Sequence, residues 1–546
     1  MFQTALFIAI SLSLIGFLYQ FFFFIKGNNT FGEKKWIPRG LNVKTFFLNT
    51  IFQIKLFNAG KLRWLIHFLV ASGFLYLLIF HALDDVTSFY WFQSYQSTID
   101  PFQFLRNLAG FFVLAGCLGF LYRRLCHFKL LRKRKIISKG LFSILLILMV
   151  ILSGFLLEAV KIISEPVFME MKEDYSDIDE DTGLEDLKIY WEKNYNVVFN
   201  EDLLITQEKL DEGKLLNEDF CIDCHSPVKS AFISSSIALS LKKSGAWLNH
   251  HRADNYVYYA HYFLCLLTLV SLPFSRLFHV FLIPVASLEK KLKKEQLVQD
   301  PNQDPYPSPG YINTATLYAC TNCGFCSDGC SVFPNFLITE NIHTLPHSKI
   351  DAFKTLFHPG QFDSETLYQL QSGNGDCTYC HKCTDICPSG IDLQNLWTLL
   401  NQKLALKGFQ DNYTFIKSLS LKQWAELEPE KEKIASTQAK TTQLADNVAS
   451  FENCIQCTIC TNVCPVVEHD LANNDYTPQQ VMNLLRLGKK HMATGTHMVW
   501  NCLTCFSCQE YCPQGIKVAD IMIELRNNGN LRADAIKIEK MTNKKA

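Results

Sequence analysis

The 546-residue chain has no excess of charge of either sign, because its 52 Lys and Arg residues are matched by 52 Asp and Glu residues. A nucleic-acid-binding domain usually carries a clustered basic excess, whereas the basic residues here cluster beside apolar segments. The chain also lacks a G-x-G-x-x-G motif after a strand-like run and a G-x-x-x-x-G-K-[ST] motif, which are signatures of dinucleotide and nucleotide sites. The sequence therefore gives no support for binding of nucleic acid, nucleotide or flavin.

What the chain has in abundance is cysteine, at 21 residues. Sixteen of them fall into four runs with the spacing C-x-x-C-x-x-C-x-x-x-C, and proline follows the last cysteine of runs 2, 3 and 4. A compact triad of this spacing, closed by a remote fourth thiolate, is typical of 4Fe-4S ligation. The runs are Cys320, Cys323, Cys326 and Cys330 (run 1); Cys377, Cys380, Cys383 and Cys387 (run 2); Cys454, Cys457, Cys460 and Cys464 (run 3); and Cys502, Cys505, Cys508 and Cys512 (run 4).

Structural zinc and disulfides are the alternatives to iron-sulfur ligation. Zinc sites use pairs of C-x-x-C with long gaps, and disulfide frameworks belong to small secreted domains, so neither predicts four runs with a trailing proline. In two-cluster ferredoxins the fourth cysteine of each run ligates the other cluster. We therefore predict four 4Fe-4S clusters in two pairs, in which the first to fourth triads are completed by Cys387, Cys330, Cys512 and Cys464, respectively.

Long apolar runs occupy the first 285 residues, and the remainder is a helix-rich region of mixed charge. A helix needs about 20 apolar residues to cross the hydrocarbon core of a bilayer. Five segments approach or exceed this length, and they lie near residues 2–25, 64–83, 102–122, 140–160 and 256–282. Arg106 interrupts the third. We interpret the first segment as a retained anchor, because no basic residue precedes it and it has no convincing small-residue cleavage site.

The charges of the connecting loops predict the orientation of the spans. Residues 26–63 carry eight Lys or Arg against one acid, and residues 123–139 carry eight against none, so both loops should be cytoplasmic. Residues 82–105 hold three Asp and no basic residue, and residues 162–253 hold 19 acids against nine bases. We therefore expect a multi-pass protein of the bacterial cytoplasmic membrane, with the N-terminus and the two acidic loops outside and the cluster region in the cytoplasm.

The second acidic loop contains the motif Cys221-Ile222-Asp223-Cys224-His225. This C-x-x-C-H spacing attaches a c-type haem through two thioethers, with the histidine as an axial ligand. A chance match in a cysteine-rich chain is the alternative, but such attachment occurs on the outer side of bacterial membranes, where the loop charges place this segment. The distal ligand stays open, with His250, His251, Met169 and Met171 as candidates.

Four histidines lie inside the apolar spans. His67 and His81 are 14 residues apart on the second span, about 21 Å of helical rise, and share a face. His261 and His279 are 18 residues apart on the fifth, about 27 Å, and also share a face. If the two helices are antiparallel, His67 meets His279 near the cytoplasm and His81 meets His261 near the outside, so each pair can ligate one haem b. A single membrane histidine more often bonds a neighbouring helix, but four at matched depths favour haem.

Glu158 lies near the outer end of the fourth span, where an ionisable side chain is costly and often functional. One interpretation is a catalytic role as a proton relay to or from a quinone. The alternative is an interfacial ion pair with Lys161, which lies three residues later on the same helical face.

On these residues, the first part of the chain resembles the dihaem cytochrome b subunit of respiratory nitrate reductase. It equally resembles the relatives of that subunit in membrane heterodisulfide reductases and sulfate-reducer transmembrane complexes. The likeness covers residues 60–285 and includes the four histidines and the stretch Ser153-Gly154-Phe155-Leu156-Leu157-Glu158. Beyond residue 300 the chain is similar to the iron-sulfur subunits of heterodisulfide reductases, in Cys454-Ile455-Gln456-Cys457 and Trp500-Asn501-Cys502-Leu503-Thr504-Cys505.

The resemblance implies an all-α fold, in which a five-helix transmembrane dihaem cytochrome b bundle precedes two tandem dicluster ferredoxin domains. Two departures bear on activity. The chain has no Cys-Cys-Gly motif, which builds the catalytic cluster of heterodisulfide-reducing subunits, and its C-x-x-C-H loop is absent from the basic nitrate reductase pattern. Whether the chain is itself an enzyme stays open, and we expect the substrate chemistry on a partner protein.

The expected function is that of a membrane-bound electron-transfer subunit. It links haem c, two b haems, a menaquinone or other quinone pool and four cytoplasmic clusters to a soluble heterodisulfide-reductase-like or flavoprotein partner. The alternative is a quinone-independent conduit from a periplasmic cytochrome c or hydrogenase to a cytoplasmic reductase. A transporter-like protein with a regulatory cluster domain is a third interpretation, and it leaves the paired histidines unexplained.

The expected organisation follows from these motifs and their spacing. A membrane domain precedes two dicluster domains, which are joined by a linker and followed by a basic tail. The boundaries are 1–285 for the membrane domain with its haem c loop at 162–253, 286–315 for a first linker, 316–400 and 446–530 for the dicluster domains, 401–445 for the second linker and 531–546 for the tail.

Overall fold

The computed structural model of the protein describes residues 2–30, 43–84, 86–92, 95–131, 141–176, 178, 183–288, 317–355, 364–427, 443–469 and 475–543. These residues form helices joined by turns, and the β-pairing among them is one isolated parallel bridge between Ser164 and Val198. The helical class predicted from the sequence is therefore correct for the described residues. The chain forms two compact units, one of Met1–Phe22 with Gly60–Phe278 and one of Phe23–Ala59 with His279–Ala546.

The helices up to residue 288 comprise long apolar segments and shorter helices between them. They are α1 (Phe2–Thr30), α2 (Val43–Thr50), α3 (Ile54–Ala59), α4 (Lys61–Leu77), α5 (Ser88–Trp91), α6 (Phe102–Leu131), α7 (Leu141–Ile163), α8 (Glu165–Tyr175), α9 (Leu184–Asn194), α10 (Gln207–Phe220), α11 (Phe232–Leu241), α12 (Gly245–His250), α13 (Ala253–Ser271) and α14 (His279–Leu288).

Five helical segments in the described part of the chain are long and apolar enough to cross a membrane. Their number agrees with the prediction, and the first four begin and end within a few residues of the predicted spans, which is the usual precision of helix ends. The segments are Gln3–Phe24, Lys61–Ala82, Phe102–Arg124, Leu141–Ile163 and Ala253–Phe274.

The fifth span, predicted at 256–282, is wrong at its C-terminal end. Helix α13 ends at Ser271, and two short 3₁₀ turns separated by one extended residue follow it. Pro273 explains the break, because proline lacks the backbone N–H that a continuing helix needs and its ring crowds the preceding turn. His279 therefore begins a separate helix, α14, and does not share one continuous helical face with His261.

Helices α4 and α6 of the first unit pack closely because glycines lie at their contact. A Cβ added at Gly73 would lie 2.5 Å from the carbonyl oxygen of Ala109, and one added at Gly116 would lie 2.8 Å from that of Ile66. Membrane helices associate mainly through such close packing, since lipid tails are as apolar as the side chains. The glycines hold α4, which carries His67, against α6.

The segment between α7 and α11 has an apolar core of its own, which includes Phe168, Leu187, Trp191 and Cys221. Hydroxyl caps fix two of its helices. The Ser164 hydroxyl accepts a hydrogen bond from the first turn of α8 at 3.3 Å, and the Thr206 hydroxyl does the same for α10 at 3.3 Å. Such caps satisfy backbone N–H groups that have no partner within the helix.

The helices of the second unit beyond residue 317 are mostly short, as the spacing of the cysteine runs requires. They are α15 (Phe325–Asp328), α16 (Phe333–Thr339), α17 (Pro346–Thr355), α18 (Ser364–Gly375), α19 (Lys382–Asp385), α20 (Leu393–Leu406), α21 (Asn412–Lys417), α22 (Leu421–Glu426), α23 (Ile459–Asn462), α24 (Pro465–His469), α25 (Pro478–Arg486), α26 (Lys490–Gly495), α27 (His497–Asn501), α28 (Ser507–Glu510) and α29 (Val518–Asn543).

Two of the predicted connecting segments are parts of the core. The tail predicted at 531–546 continues α29 as far as Asn543, and Ala533 and Ile536 are buried. The linker predicted at 401–445 contributes Trp424, which is fully buried in the apolar core that also includes Cys464 and Cys508. Polar contacts add to the burial of apolar side chains in both segments, since Nε of Arg532 in the predicted tail donates to the carbonyl of Leu427 in the predicted linker at 3.1 Å.

The predicted membrane domain at 1–285 also differs from the compact units. Residues Phe23–Ala59 and the helix that begins at His279 belong to the second unit, with the cysteine runs. Most of the linker predicted at 286–315 lies outside the described residues, as do residues 132–140 between the third and fourth spans.

Candidate iron-sulfur and haem sites

The four cysteine runs share one backbone conformation. In each run the residue two positions after the first cysteine, and the residue directly after the second cysteine, have φ between 52° and 87°. A non-glycine residue at positive φ costs roughly 1–2 kcal/mol, so its recurrence at equivalent positions indicates a required geometry. The residues are Asn322 and Gly324, Tyr379 and His381, Gln456 and Thr458, and Thr504 and Phe506.

A one-turn helix follows the second cysteine of every run, so that the third cysteine lies in its first turn. The N-cap of each helix is the left-handed residue just described, and the four helices are α15, α19, α23 and α28. Alternation of left- and right-handed residues turns successive backbone N–H groups toward one point and attracts anions. This loop suits an anionic cluster bound through thiolates.

Thiol group I consists of Cys320, Cys323, Cys326 and Cys387. Cys326 and Cys387 each interact electrostatically with Cys320 and Cys323, so the last cysteine of run 2 lies with the triad of run 1. Burial raises the pKa of Cys387 to about 12, and the neighbouring thiols add to the rise.

Thiol group II consists of Cys330, Cys377, Cys380 and Cys383. Cys330 interacts with Cys377 and Cys380, and Cys383 interacts with Cys377 and Cys330. Burial raises the pKa of Cys330 to about 11 and that of Cys383 to about 12. The last cysteine of run 1 therefore lies with the triad of run 2, which completes the crossed arrangement.

Thiol group III consists of Cys454, Cys457, Cys460 and Cys512. All four line one concavity of about 380 Å³, counting space open to solvent. Cys460 interacts with the other three, and burial raises its pKa to about 11. The last cysteine of run 4 therefore lies with the triad of run 3.

Thiol group IV consists of Cys464, Cys502, Cys505 and Cys508. These residues line a second concavity, of about 360 Å³ counting space open to solvent. Cys508 interacts with the other three, and burial raises its pKa above the ordinary range. All four groups thus follow the crossed pattern predicted from the spacing.

These groups suit a polynuclear cluster better than zinc or disulfides. Every cysteine whose side chain the structure describes is a free thiol. Buried thiols such as Cys383, Cys387 and Cys460, whose pKa values are raised, need a strong local positive charge to ionise, and the irons of a 4Fe-4S cluster supply it.

The C-x-x-C-H motif forms a tight turn directly after α10. The backbone N–H groups of Cys224 and His225 both donate to the carbonyl of Cys221, at 3.1 and 2.9 Å. The Cys221 thiol is buried, and burial raises its pKa to about 11. The His225 ring meets the Trp191 ring edge-on at 5.5 Å, and burial lowers the pKa of His225, which favours the neutral imidazole.

The structure places the candidates for the distal haem c ligand on two helices. Met169 and Met171 of α8 pack against the apolar core that contains Cys221. His250 and His251 lie on and just after α12, with their rings 5.0 Å apart, and the adjacent Asn249 donates to the carbonyl of Val198 at 2.7 Å. The choice of distal ligand among the four stays open.

The two loops predicted to lie outside are in contact. The backbone N–H of Ser226 donates to the carbonyl of Thr98 at 3.0 Å, and the Thr98 hydroxyl donates to the carbonyl of Cys224. The N–H of Asp100 donates to the Ser226 hydroxyl at 2.8 Å. The loop at 82–105 and the C-x-x-C-H segment therefore contact each other, and their location outside the membrane stays a prediction.

His81 lies in a π-helical turn, Leu78–Ala82, at the end of α4. The carbonyls of Ile79 and Phe80 in this turn accept hydrogen bonds from the hydroxyls of Thr87 and Tyr95. Single π turns within helices often occur at functional sites. Here the neighbouring hydroxyls stabilise the turn that positions His81.

His261 lies on α13, and its ring contacts two small residues of α7, Ser153 and Gly154. Its Nδ1 is 2.9 Å from the Ser153 hydroxyl, and a Cβ added at Gly154 would lie 3.2 Å from its ring. His261 also interacts electrostatically with His81. Ser153 thus contacts Nδ1, and the sulfur of Cys265 lies 3.7 Å from the other ring nitrogen, Nε2.

The other predicted pair is divided between the two units. His67 lies on α4 in the first unit, and its ring meets that of Phe120 edge-on at 6.2 Å. His279 is the first residue of α14 and belongs to the second unit. The pairing of His67 with His279 stays a prediction.

Glu158 is held by residues that the sequence did not point to. Its carboxylate accepts hydrogen bonds from the guanidinium of Arg106, from Asn107 at 2.9 Å and from the Ser234 hydroxyl at 2.6 Å. Lys161 instead lies over the ring of Tyr258 at 5.6 Å. The alternative of a Glu158–Lys161 ion pair is therefore wrong, and Arg106 is the cation that interacts with Glu158.

The cysteine runs match a known family. A family model for the 4Fe-4S dicluster domain matches residues 316–391 and 450–516, which contain all sixteen cysteines of the runs. The chain is similar to a subunit of the H(2):CoB-CoM heterodisulfide,ferredoxin reductase of Methanothermobacter thermautotrophicus, at 35% identity over 78 residues (14% of this chain, 40% of that protein). It is also similar to the iron-sulfur subunit of the CoB-CoM heterodisulfide reductase of Methanopyrus kandleri, at 33% over 82 residues (15% and 41%).

A third relative is a subunit of the ferredoxin:CoB-CoM heterodisulfide reductase of Methanosarcina mazei, at 36% identity over 76 residues (14% of this chain, 43% of that protein). The chain spans less than half the length of these curated relatives. No solved structure matches the chain. These matches confirm the prediction of 4Fe-4S clusters and support an iron-sulfur electron-transfer subunit.

Proposed function

We propose that the chain is the membrane-bound electron-transfer subunit of a respiratory oxidoreductase. It passes electrons between a haem c outside the membrane, two b haems and a quinone pool within it, and four 4Fe-4S clusters in the cytoplasm. The observation that carries this proposal is the crossed grouping of sixteen thiols in a chain that also has five membrane-length helices. Such groups have no evident role in a transporter.

The proposed haem ligands are supported by their surroundings. Cys221, Cys224 and His225 would hold haem c, and His81 and His261 would hold the outer haem b. The bound haems would supply one-electron carriers whose potentials depend on ligands and burial. The protein orients the ligands: Ser153 sets the ring of His261, and the turn after α10 brings His225 beside Cys221. His67 and His279 are the proposed ligands of the inner haem b.

The partner is proposed from the relatives. Their names describe subunits of heterodisulfide reductases, one of them an iron-sulfur subunit. We infer a cytoplasmic heterodisulfide-reductase-like or flavoprotein partner that receives electrons from the clusters and carries the substrate chemistry. The second candidate function, a conduit that bypasses quinone, is favoured by the C-x-x-C-H segment, because an outer haem c can accept electrons from a periplasmic cytochrome c or hydrogenase.

A haem assay followed by addition of quinol distinguishes these functions. We expect pyridine haemochrome spectra of the anaerobically purified protein to give two haem b and one haem c per chain. A menaquinol analogue should then reduce the b haems rapidly, and a quinone-site inhibitor should block that reduction. Haems that are not reduced by quinol but are reduced by a periplasmic cytochrome would support the conduit. A protein without haem would contradict both.

The Glu158→Gln variant tests the proton relay. Glutamine keeps hydrogen-bonding atoms opposite Asn107 and Ser234 but cannot carry a proton to or from quinone. A lost general acid or base typically lowers turnover by 10²–10⁴-fold, so we expect quinol oxidation to slow by about 100-fold while both b haems are retained.

The matched control is Arg106→Gln, which removes the cation that interacts with Glu158. If Glu158 only fixes α6 against α7, both variants should lower the yield of folded protein and leave turnover per haem unchanged. That outcome would exclude the relay.

A further inference from the structure

Two of the thiol groups that belong to different dicluster halves are joined by direct hydrogen bonds. The hydroxyl of Thr504, which lies in the loop of group IV, donates to the carbonyl of Ser331 at 2.6 Å. Ser331 directly follows Cys330 of group II, and its hydroxyl is 3.4 Å from the sulfur of Cys380 in the same group. A single residue, Ser331, therefore connects group II with the loop of group IV.

A buried arginine lies at the same junction. Arg526 of α29 is 4% exposed and donates to the carbonyls of Val499 at 2.8 Å, Trp500 at 2.6 Å and Cys502 at 2.9 Å. Its charge also interacts with Cys502 of group IV, with the carboxylate of Asp376 and with Cys377 of group II. A buried guanidinium is costly unless it is fully bonded and near compensating negative charge. The Asp376 carboxylate is one source of that negative charge, and thiolate-bound clusters on both sides would add to it.

Helix α29 ties the two halves together beside this arginine. Asn530, one helical turn after Arg526, donates to the carboxylate of Asp376 at 2.8 Å, and the Thr344 hydroxyl donates to the same carboxylate at 3.1 Å. Asp376 directly precedes Cys377. The loop that begins group II is therefore fixed by the helix that also contacts the carbonyl of Cys502.

The contact between cluster loops of the two halves is made by groups II and IV, through the hydrogen bond from Thr504 to Ser331. The contacts around group I are different: the rings of Phe23 and Phe24 contact Tyr318 at 5.6 and 5.4 Å, two residues before Cys320. Exposure alone does not rank the groups of the second half, because Cys457 of group III and Cys505 of group IV are both exposed.

We propose that the four clusters form one linear chain in the order I–II–IV–III, with Arg526 as the positioning residue between the two inner clusters. This inference rests on the proposed content of four clusters. Groups I and II are neighbours because Cys383 and Cys387 of one run serve both, and groups III and IV are neighbours because Cys460 and Cys464 do. Electrons therefore cross between the halves from II to IV, and their path does not follow the order of the runs in the sequence.

Paired variants of the full-length protein test the order by electron paramagnetic resonance. In Cys323→Ala/Cys457→Ala, which removes clusters I and III, we expect clusters II and IV, once reduced with titanium(III) citrate, to show a spin–spin interaction. In the matched variant Cys380→Ala/Cys505→Ala, clusters I and III remain and should give two non-interacting signals. Interaction in the second variant but not in the first would overturn the order.

Midpoint potentials test the role of Arg526. A nearby cation stabilises the more negative, reduced form of a cluster, so Arg526→Gln should shift the potentials of clusters II and IV downward and leave those of I and III unchanged. Arg526→Lys keeps the positive charge and should leave the potentials of clusters II and IV close to their wild-type values. The matched control is Arg486→Gln, because Arg486 donates to the carbonyl of Cys454 at 2.9 Å and should affect cluster III alone. A shift confined to one half would overturn the bridging role.

The content of non-haem iron separates a failure of this inference from a failure of the proposed function. About sixteen irons per wild-type chain are expected from four 4Fe-4S clusters. A full content without interaction between II and IV contradicts only the order, whereas a content below four clusters contradicts the proposed function itself. If Arg526→Gln does not fold, the paired cysteine variants still decide the order.

Discussion

Cys387→Ala is expected to remove the cluster of run 1, although Cys387 lies in run 2. The variant should lose about a quarter of the non-haem iron, since one of four clusters loses a thiolate. Its electron paramagnetic resonance spectrum should lack the same signal that Cys320→Ala removes. The structural reason is that Cys387 interacts with Cys320 and Cys323 of group I.

The converse variant and a control complete this test. Cys330→Ala should lose the signal that Cys377→Ala removes, because Cys330 lies with group II. Cys117→Ala, which replaces a buried cysteine on α6 outside the runs, should keep all four clusters. If Cys387→Ala instead loses the signal that Cys377→Ala removes, each run holds its own cluster and the crossed arrangement is wrong.

His261→Leu is expected to abolish the outer haem b and to halve the haem b content. Leucine is close to histidine in size but offers no nitrogen to iron, and the loss should be seen directly in pyridine haemochrome spectra. His81→Leu should remove the same haem, identified by its midpoint potential, because His81 and His261 interact. The inner haem should keep its wild-type potential in both variants.

Two controls distinguish ligation from packing. Cys265→Ala changes a neighbour of His261, with the sulfur 3.7 Å from Nε2, and should retain both haems. Ser153→Ala removes the hydrogen bond to Nδ1 and should retain the haem with a changed potential, because that bond tunes the basicity of the ligand. Loss of different haems in His81→Leu and His261→Leu would contradict the pairing.

The parts of the fold that the sequence predicted are those set by local patterns. Continuous apolar runs predicted the five membrane-length segments, since length and hydropathy alone determine whether a helix can span a bilayer. Cysteine spacing predicted the crossed thiol groups, because a short loop can supply three ligands to one cluster but not the fourth. The apolar runs and the cysteine spacing can both be identified in the sequence without knowledge of the tertiary fold.

The wrong predictions have two causes. One sequence signal, a proline, was given less weight than the apolar residues around it, and other interactions join residues that are far apart in the sequence. Pro273 marked the end of the fifth span, yet the apolar residues around it suggested a longer helix. The interaction of Glu158 with Arg106 joins residues 52 positions apart, whereas Lys161 was near in sequence. The partners of Arg526 likewise lie more than 20 positions away, so no local signal pointed to them.

The central claim is that membrane haems and cytoplasmic clusters form one electron path. The most direct measurement is to reduce the whole protein anaerobically, add a menaquinone analogue, and follow the haem absorption bands and the cluster electron paramagnetic resonance signals in the same sample. We predict that quinone reoxidises both haems and clusters in the wild-type protein, and that the clusters stay reduced in His81→Leu. Clusters that are reoxidised equally fast without the outer haem b, or that stay reduced in the wild-type protein, would contradict the account.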